Sequence, residues 1–359
     1  MEKLLLLNDS GNFGGVQSVF RNILNYGAFN GFNIDILFAT NGPIYDEIQG
    51  KGYNINYIVD FKKFKSLEII VLLFKIIKTT DRMLKNKKYD KVYANGFLSC
   101  VACGILSKKY KNIKFVWHEH NRPPSEIRKK FLKGILKNIK KVIVVSNGIR
   151  DNYCIKDNEK VVVVYNGIES DDISYLENKS PNKIKLAVVS RMDRGKGHLE
   201  TIEAFNNASR NDMELYIIGG ATNKEALIVE EEIKRKCEEN KNIKLIGFTK
   251  EVDKYYKEMD IIIQASTKWD SLPTVLIEAM NYNCALIGSD VGGIPEIINN
   301  DNGYIVKKDR LVEDLTALLK GLKKDDEIIS KQVKAKSILK EKFIISRQVK
   351  IINDILKSI

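Results

Sequence analysis

Two carboxylates stand eight residues apart in the run Trp269-Asp270-Ser271-Leu272-Pro273-Thr274-Val275-Leu276-Ile277-Glu278-Ala279-Met280, and a proline lies between them. Proline's missing N–H costs nothing in the first turn of a helix, so a helix is expected to start with Pro273 in that turn, continued by Val275, Ile277, Ala279 and Met280. Asp270 then falls in the loop before the helix and Glu278 about one turn inside it. A helix N-terminus offers N–H groups to phosphate or sugar oxygens, and Glu278 can accept from two vicinal hydroxyls such as those of a ribose. A carboxylate in an apolar helix is costly without such partners; a salt bridge to a lysine would also satisfy it.

A second candidate is the run Val189-Ser190-Arg191-Met192-Asp193-Arg194-Gly195-Lys196-Gly197-His198. Here a strand leads into a loop with two separated cations and then a helix. Arg191 and Lys196 could converge on one diphosphate, guanidinium fork and ammonium together neutralising a leaving group. A solvated basic turn would look the same in sequence. The first strand ends in Asn8-Asp9-Ser10-Gly11-Asn12-Phe13-Gly14-Gly15-Val16, where Gly14 and Gly15 would let the backbone approach an anion at a helix start. This is not G-x-G-x-x-G, and no acidic residue closes the second strand, so a dinucleotide-binding dehydrogenase is disfavoured.

Trp117-His118-Glu119-His120-Asn121 follows another expected strand, placing polar side chains at a sheet edge where open α/β sheets bind ligands. The two histidines are too close for H-E-x-x-H, which excludes a helical zinc-protease site. Cys100-Val-Ala-Cys103 has C-x-x-C spacing, but no second Cys or His pair accompanies it, so core-facing thiols are the better reading. No clustered D-x-D carboxylates are present to hold a metal.

The elements positioning these residues follow one pattern. Strands are expected at 3–8, 33–38, 91–94, 114–117, 142–145 and 161–164, and again at 185–189, 214–218, 242–246, 260–264, 285–288 and 304–306. Short β-branched runs alternating with helical stretches are the mark of parallel α/β units, and 359 residues exceed what one core usually supports. Residues 1–165 form a first domain, 166–183 a polar linker and 184–340 a second domain. A terminal helix, 341–359, carries Ile344, Val349, Ile352 and Ile355 along one face and can cross back onto the first domain.

Arg191 with Lys196, the Asp270 to Glu278 run, Val291-Gly292-Gly293-Ile294-Pro295-Glu296 and Tyr165-Asn166-Gly167-Ile168 together resemble the family-four retaining glycosyltransferases. The resemblance covers both halves of the chain. It implies the GT-B fold: two Rossmann-like domains facing across an interdomain cleft. It also implies transfer of a hexosyl group from a nucleotide-diphosphate donor, taken as a UDP-sugar, to a saccharide acceptor, lipid-linked, in cell-surface polysaccharide biosynthesis, with no metal or other cofactor. On this resemblance Arg191 and Lys196 hold the diphosphate, Glu278 the ribose, and Asp270 the transferred sugar. The segment Ser271, Leu272, Pro273 and Thr274 binds the donor and carries the backbone donors, Phe248 lines the base, and Gly14 and Gly15 close over the phosphates. His120 faces the reacting sugar, with His118 as second choice. The family more often has Glu where this chain has Asp270, which leaves the sugar's identity open. A nucleotide-sugar epimerase of the same double-Rossmann shape is the alternative.

The net charge is +13, and residues 61–141 hold 22 Lys or Arg against 5 Asp or Glu. Such a field implies an anionic partner surface; a Lys-rich composition bias, with Lys, Asn and Ile frequent throughout the chain, is the plainer alternative. Within it, apolar residues at 127, 131, 132, 135, 136 and 139 form one helical stripe flanked by lysines. The stripe is expected to pack on its own sheet and the charges to face an anionic membrane. Nucleic-acid binding is a remote alternative, since aromatic interleaving and any known module are missing. No apolar run is long enough to span a bilayer, and Met1 to Leu7 reads as a first strand, so a cytoplasmic enzyme peripheral to the inner membrane face is expected.

Overall fold

β-Branched and leucine-rich runs become strands buried on both faces, as parallel sheets require. In the computed structural model, the described residues are all except 13, 63, 122–125, 153–158, 171–182 and 324–325, and the side chains of 126–129 are also outside the description. The chain divides into two units, 1–167 with 345–359, and 168–344. Most of the expected linker, together with Cys154, Phe13 and Ile127, lies outside the described residues.

The first unit carries a parallel sheet of β1 (Lys3–Asn8), β2 (Asn33–Thr40), β3 (Asn54–Val59), β4 (Lys91–Asn95), β5 (Lys114–Glu119), β6 (Lys141–Val144) and β7 (Val161–Val163), in the order β3-β2-β1-β4-β5-β6-β7. Strand β3 is an addition to the sequence expectation. It is the sheet edge, half exposed, and Asn54 and Asn56 interrupt any apolar run, so its pattern is set by pairing with β2 rather than by burial. One face is covered by the helix Gly15–Asn25 and by the helix Ile345–Lys357, whose Ile345, Val349, Ile352, Ile355 and Leu356 join Phe20, Ile23, Phe38 and Val116 in one core. The terminal helix is thus shorter than 341–359: Lys342 ends the preceding helix, and Ile344 forms an isolated bridge with Ile168. The helix Ser66–Asn86 packs through Leu72 and Ile76 on a separate cluster with Ala39 and Ala102. Cys100 and Cys103 are free and buried, as expected for core thiols.

The second unit repeats the plan with β8 (Ile184–Val189), β9 (Met213–Ile218), β10 (Ile243–Gly247), β11 (Ile261–Gln264), β12 (Ala285–Ser289) and β13 (Gly303–Val306), ordered β10-β9-β8-β11-β12-β13 and all parallel. Its core joins Leu186, Val188, Leu215, Ile261 and Ile287 to helix residues Ile202, Phe205 and Leu315. Among the described residues no helix is long and apolar enough to cross a membrane.

Trp117 lies in the first unit and Trp269 in the second, so each can report one unfolding event. Ile352 is fully buried against the first sheet. Ile352→Ala in a Trp269→Phe background should therefore lower the stability seen by Trp117 emission in urea by about 2–5 kcal/mol. An unchanged midpoint would mean that the terminal helix does not hold this core together.

Candidate active site

The second sheet's strand order reverses between β8 and β11, so the C-terminal ends of those two strands open the crevice where parallel α/β sheets bind ligands. The loop leaving β8 carries Arg191 and Lys196, and the loop leaving β11 carries Asp270. Lys196 Nζ donates to Asp270 Oδ2 at 2.6 Å, and both side chains are largely buried. Backbone crowding enforces this meeting. Gly197 has φ +77°, and a Cβ on it would lie 1.8 Å from the Ala265 carbonyl oxygen. Gly292 has φ +62°, and a Cβ there would lie 1.9 Å from the Asp270 carbonyl oxygen, which also accepts from Gly293 N–H at 2.8 Å. The Asp270 loop is held between two glycine turns that no other residue can replace without displacement.

Two polar residues not singled out in the sequence aim the Asp270 carboxylate. Ser266 Oγ donates to Asp270 Oδ2 at 3.4 Å, and Ser266 Oγ in turn accepts from Gln264 Nε2, at the end of β11, at 2.8 Å. Arg191 stands apart from this cluster: exposed, it pairs with Asp193 at 3.1 Å. Glu278 is in the helix Thr274–Asn281, where the Tyr256 hydroxyl donates to its Oε2 at 3.1 Å. Burial raises the Glu278 carboxyl above the usual carboxylate range, against the lowering effect of hydrogen bonds from Tyr256 and Thr274. Its protein partners are thus hydroxyls. Lys196 and Asp270 are brought together; Arg191 and Glu278 keep separate partners.

Pro273 corrects the sequence expectation by one step: it is the residue before the helix, and Thr274 is the first within it. Proline's fixed φ suits that extended cap position as well as the first turn. Leu272 is buried, which leaves only its backbone for a ligand, whereas Ser271 Oγ accepts from Trp269 Nε1 at 3.3 Å. Phe248 follows β10 and is exposed beside Gly220. His198, quoted in the sequence run but given no role there, is buried at the start of its helix. Its Nε2 lies 3.2 Å from Ser190 Oγ. Burial and then the Lys196 charge push its pKa down to about 4.

In the first unit the order reverses between β1 and β4, and Asn8 and Asn95 are register partners at that point. Asn8 Nδ2 donates to the Ser10 carbonyl at 3.2 Å, so its Oδ1 is the atom that accepts from Asn95 Nδ2 at 2.8 Å. Asn95 Oδ1 therefore faces His120 Nε2, 2.8 Å away. An amide oxygen only accepts, which fixes His120 as the Nε2–H tautomer and leaves Nδ1 as its acceptor. Burial lowers the His120 pKa to about 3, so the ring is neutral. His118 is the deeper ring, with Nδ1 2.5 Å from the Tyr93 hydroxyl and its pKa held well below normal by burial. It is a core residue, as its place on β5 dictates.

Glu119 points to the opposite face and accepts from the His120 and Asn121 N–H groups, each at 2.9 Å. Asp9, another residue without an assigned role in the sequence, accepts from Leu98 and Ser99 N–H at 2.9 and 2.7 Å, so it fills the N-terminus of the helix Phe97–Leu106. Gly14 is extended at φ 174° and caps the helix that Gly15 begins, and Gly15 has open space at its Cβ position. The backbone itself demands glycine at neither place.

Comparison with known proteins follows the same division. Residues 170–337 match the family model described as glycosyl transferases group 1, and residues 13–172 match that described as glycosyltransferase family 4. The chain is 25% identical over 320 residues to the amylovoran biosynthesis glycosyltransferase AmsD of Erwinia amylovora, covering 85% of this chain and 86% of that one. It is 26% identical over 271 residues to the phosphatidylinositol N-acetylglucosaminyltransferase GPI3 subunit of Saccharomyces cerevisiae, covering 70% of this chain but 58% of the yeast protein. Among solved structures, Anabaena Alr3699/HepE in complex with UDP and glucose superposes with a TM-score of 0.79 over 100% of both chains at 18% identity. That likeness establishes the shared two-domain α/β architecture, the GT-B fold.

Two outcomes follow from the histidines. Nitrogen-15 shifts should show His120 as the Nε2–H tautomer, and Asn95→Ala should return it toward the mixture of an unrestrained ring; the same mixture in the unsubstituted protein would contradict the hydrogen-bond chain. His118, His120 and His198 all bind protons more weakly folded than their usual 6.5. Their contribution to stability is therefore complete above about pH 6.5 and is lost as pH falls towards the folded values. Urea midpoints measured against pH should fall on the acid side of 6.5 and be less steep in His198→Gln.

Proposed function

The chain belongs to the family-4 glycosyltransferases of group 1 type, and from that premise we propose that it transfers a sugar, with retention of anomeric configuration, from a UDP-sugar to a saccharide acceptor in polysaccharide assembly. Family membership replaces the epimerase and nucleic-acid readings. The observation that carries the donor assignment is the meeting of Lys196 and Asp270 at the second sheet's reversal point. A UDP donor is supported by the ligand in the HepE structure. A polysaccharide product is supported by the name of AmsD, and a lipid-linked acceptor by that of GPI3.

In this reaction the bond between the anomeric carbon and the diphosphate oxygen breaks, and its electron pair leaves on the diphosphate. The acceptor hydroxyl oxygen bonds to the same face of that carbon, and its proton passes to the leaving oxygen. Lys196 stabilises the developing charge, joined by Arg191 once it exchanges Asp193 for phosphate. Asp270, freed on one oxygen, takes a hydroxyl of the transferred sugar. Glu278 replaces the Tyr256 hydroxyl, or adds to it, with the ribose diol. Phe248 offers an exposed ring for the base. Ser271, Leu272 and Thr274 supply backbone N–H donors around Pro273, Gly14 and Gly15 give phosphate room, and His120 accepts from a sugar hydroxyl through Nδ1. The charge compensation is assigned to side chains and a helix N-terminus, so no metal enters the proposal. The basic region 61–141 is assigned to an anionic membrane surface on the strength of its charge.

Lys196→Ala should lower kcat roughly 100- to 1,000-fold with circular dichroism unchanged, and EDTA should leave the unsubstituted enzyme active. Near-normal turnover in Lys196→Ala would remove the lysine from the mechanism. Proton NMR of the product should show the donor's anomeric configuration; inversion would refute the return of the proton to the leaving diphosphate. Glu278 is costly to ionise where it stands, so its effect on folding is destabilising as pH rises through its raised pKa. Glu278→Gln should therefore melt at or above the temperature of the unsubstituted protein at pH 7 while binding the donor more weakly. A variant that both melts lower and binds normally would make Glu278 structural.

A further inference from the structure

The helix Ser66–Asn86 turns Leu72, Ile76, Thr80 and Leu84 inward, and the opposite side of its first two turns is apolar as well. Leu67, Ile70, Val71 and Phe74 are 78%, 51%, 54% and 68% exposed. Their i, i+3, i+4, i+7 spacing makes one continuous outward row, and exposed Phe61 precedes it. Four large apolar side chains in a row on one solvent-facing stripe differ from the scattered exposed residues of an ordinary surface. The next turns of the same helix present Lys75, Lys78 and Arg82 outward, and none has a carboxylate partner among the described residues. The two acidic residues on this helix are already engaged, Glu68 by Lys62 at 2.7 Å and Asp81 by Lys109 at 2.6 Å and Lys85 at 2.9 Å. By contrast, most of the lysine-flanked stripe read from the sequence at 127–139 is consumed by packing: Leu132, Ile135, Leu136 and Ile139 are buried, while Phe131, expected to pack with them, is exposed and the Ile127 side chain lies outside the description.

We propose that this outward row is the protein's membrane-docking element, lying in the interface of an anionic bilayer with Leu67, Ile70, Val71 and Phe74 among the acyl chains and Lys75, Lys78 and Arg82 on lipid phosphates. Charge selects this occupant. A second copy seated on the same face would set two groups of unpaired cations against each other, and a nucleic acid would leave the apolar row unused. An anionic lipid surface satisfies both halves of the helix at once. The inference rests on the reading of region 61–141 as membrane-facing and assigns that role to one helix.

The test uses the full chain and co-sedimentation with vesicles of phosphatidylcholine, alone or mixed with phosphatidylglycerol. Binding is expected to the mixed vesicles only, to weaken with salt, and to fall on the order of tenfold or more in Leu67→Ser/Phe74→Ser. Lys75→Glu/Lys78→Glu should remove the preference for phosphatidylglycerol. Both pairs are solvent-facing, so unchanged melting temperatures show that the fold is intact. A Phe74→Trp reporter should shift to the blue and be quenched by brominated acyl chains. If the serine variant binds as tightly as the unsubstituted chain, the helix assignment is wrong while membrane binding stands. If the unsubstituted chain binds neither vesicle, the membrane reading itself fails. Concentration-dependent dimerisation abolished by the serine substitutions, without vesicle binding, would make the row a self-interface and overturn the proposal.

Discussion

Contact of backbone with backbone at the reversal point of the second sheet governs the rest of the site. Gly197 lies against the Ala265 carbonyl and Gly292 against the Asp270 carbonyl, both at positive φ and both closer than any side chain would permit. The loop carrying Asp270 is packed and hydrogen-bonded against Gly292 and Gly293, and the 3₁₀ turn Arg194–Lys196 ends where the ammonium meets it. A lysine and a carboxylate in contact and largely shielded from water compensate each other's charge, which would be costly for either alone. The same pair can divide between a phosphate and a sugar hydroxyl without exposing either charge unpaired. The fold thus fixes both positions, which is the condition for electrostatic stabilisation without reorganisation.

Both units use the reversal of a parallel sheet in the same way but fill it with different chemistry. The second places charged groups there, Lys196 and Asp270. The first places a neutral chain running from the Ser10 carbonyl through Asn8 and Asn95 to His120. Each amide in that chain has one possible orientation, so the tautomer of the last ring is set by a peptide carbonyl several bonds away. A neutral acceptor suits a hydroxyl, whereas the ammonium of Lys196 suits phosphate. In the proposed reaction the two sheets divide polar recognition along those lines.

Much of the fold was legible in the sequence because strands buried on both faces leave long apolar runs, and the meeting of Lys196 with Asp270 was legible in part because each stands in a motif that follows such a strand. Strand β3 was not legible: at the edge its Asn54 and Asn56 face water, and only its pairing with β2 makes it a strand. Nor were Ser266, Gln264, Tyr256 and Asn95, each a single polar residue at a strand end or on a helix, whose role depends on a neighbour remote in the chain. Proline's preference for the start of a helix located Pro273 to within one residue, since its φ serves the cap and the first turn alike. The stripe at 127–139 and the row at 67–74 share the same periodicity. Only burial distinguishes the helix whose stripe is mostly covered, with Ile135 against Gly104 of the neighbouring helix, from the helix that presents a second apolar side.

The claim on which the account stands is that Lys196 reads the diphosphate and Glu278 the ribose of one donor. Isothermal titration of uridine and of UDP into the unsubstituted protein, Lys196→Ala and Glu278→Gln separates the two roles. The account predicts that Lys196→Ala weakens UDP and leaves uridine unchanged, while Glu278→Gln weakens both. Equal loss of uridine and UDP affinity in Lys196→Ala, or normal uridine binding in Glu278→Gln, would contradict it.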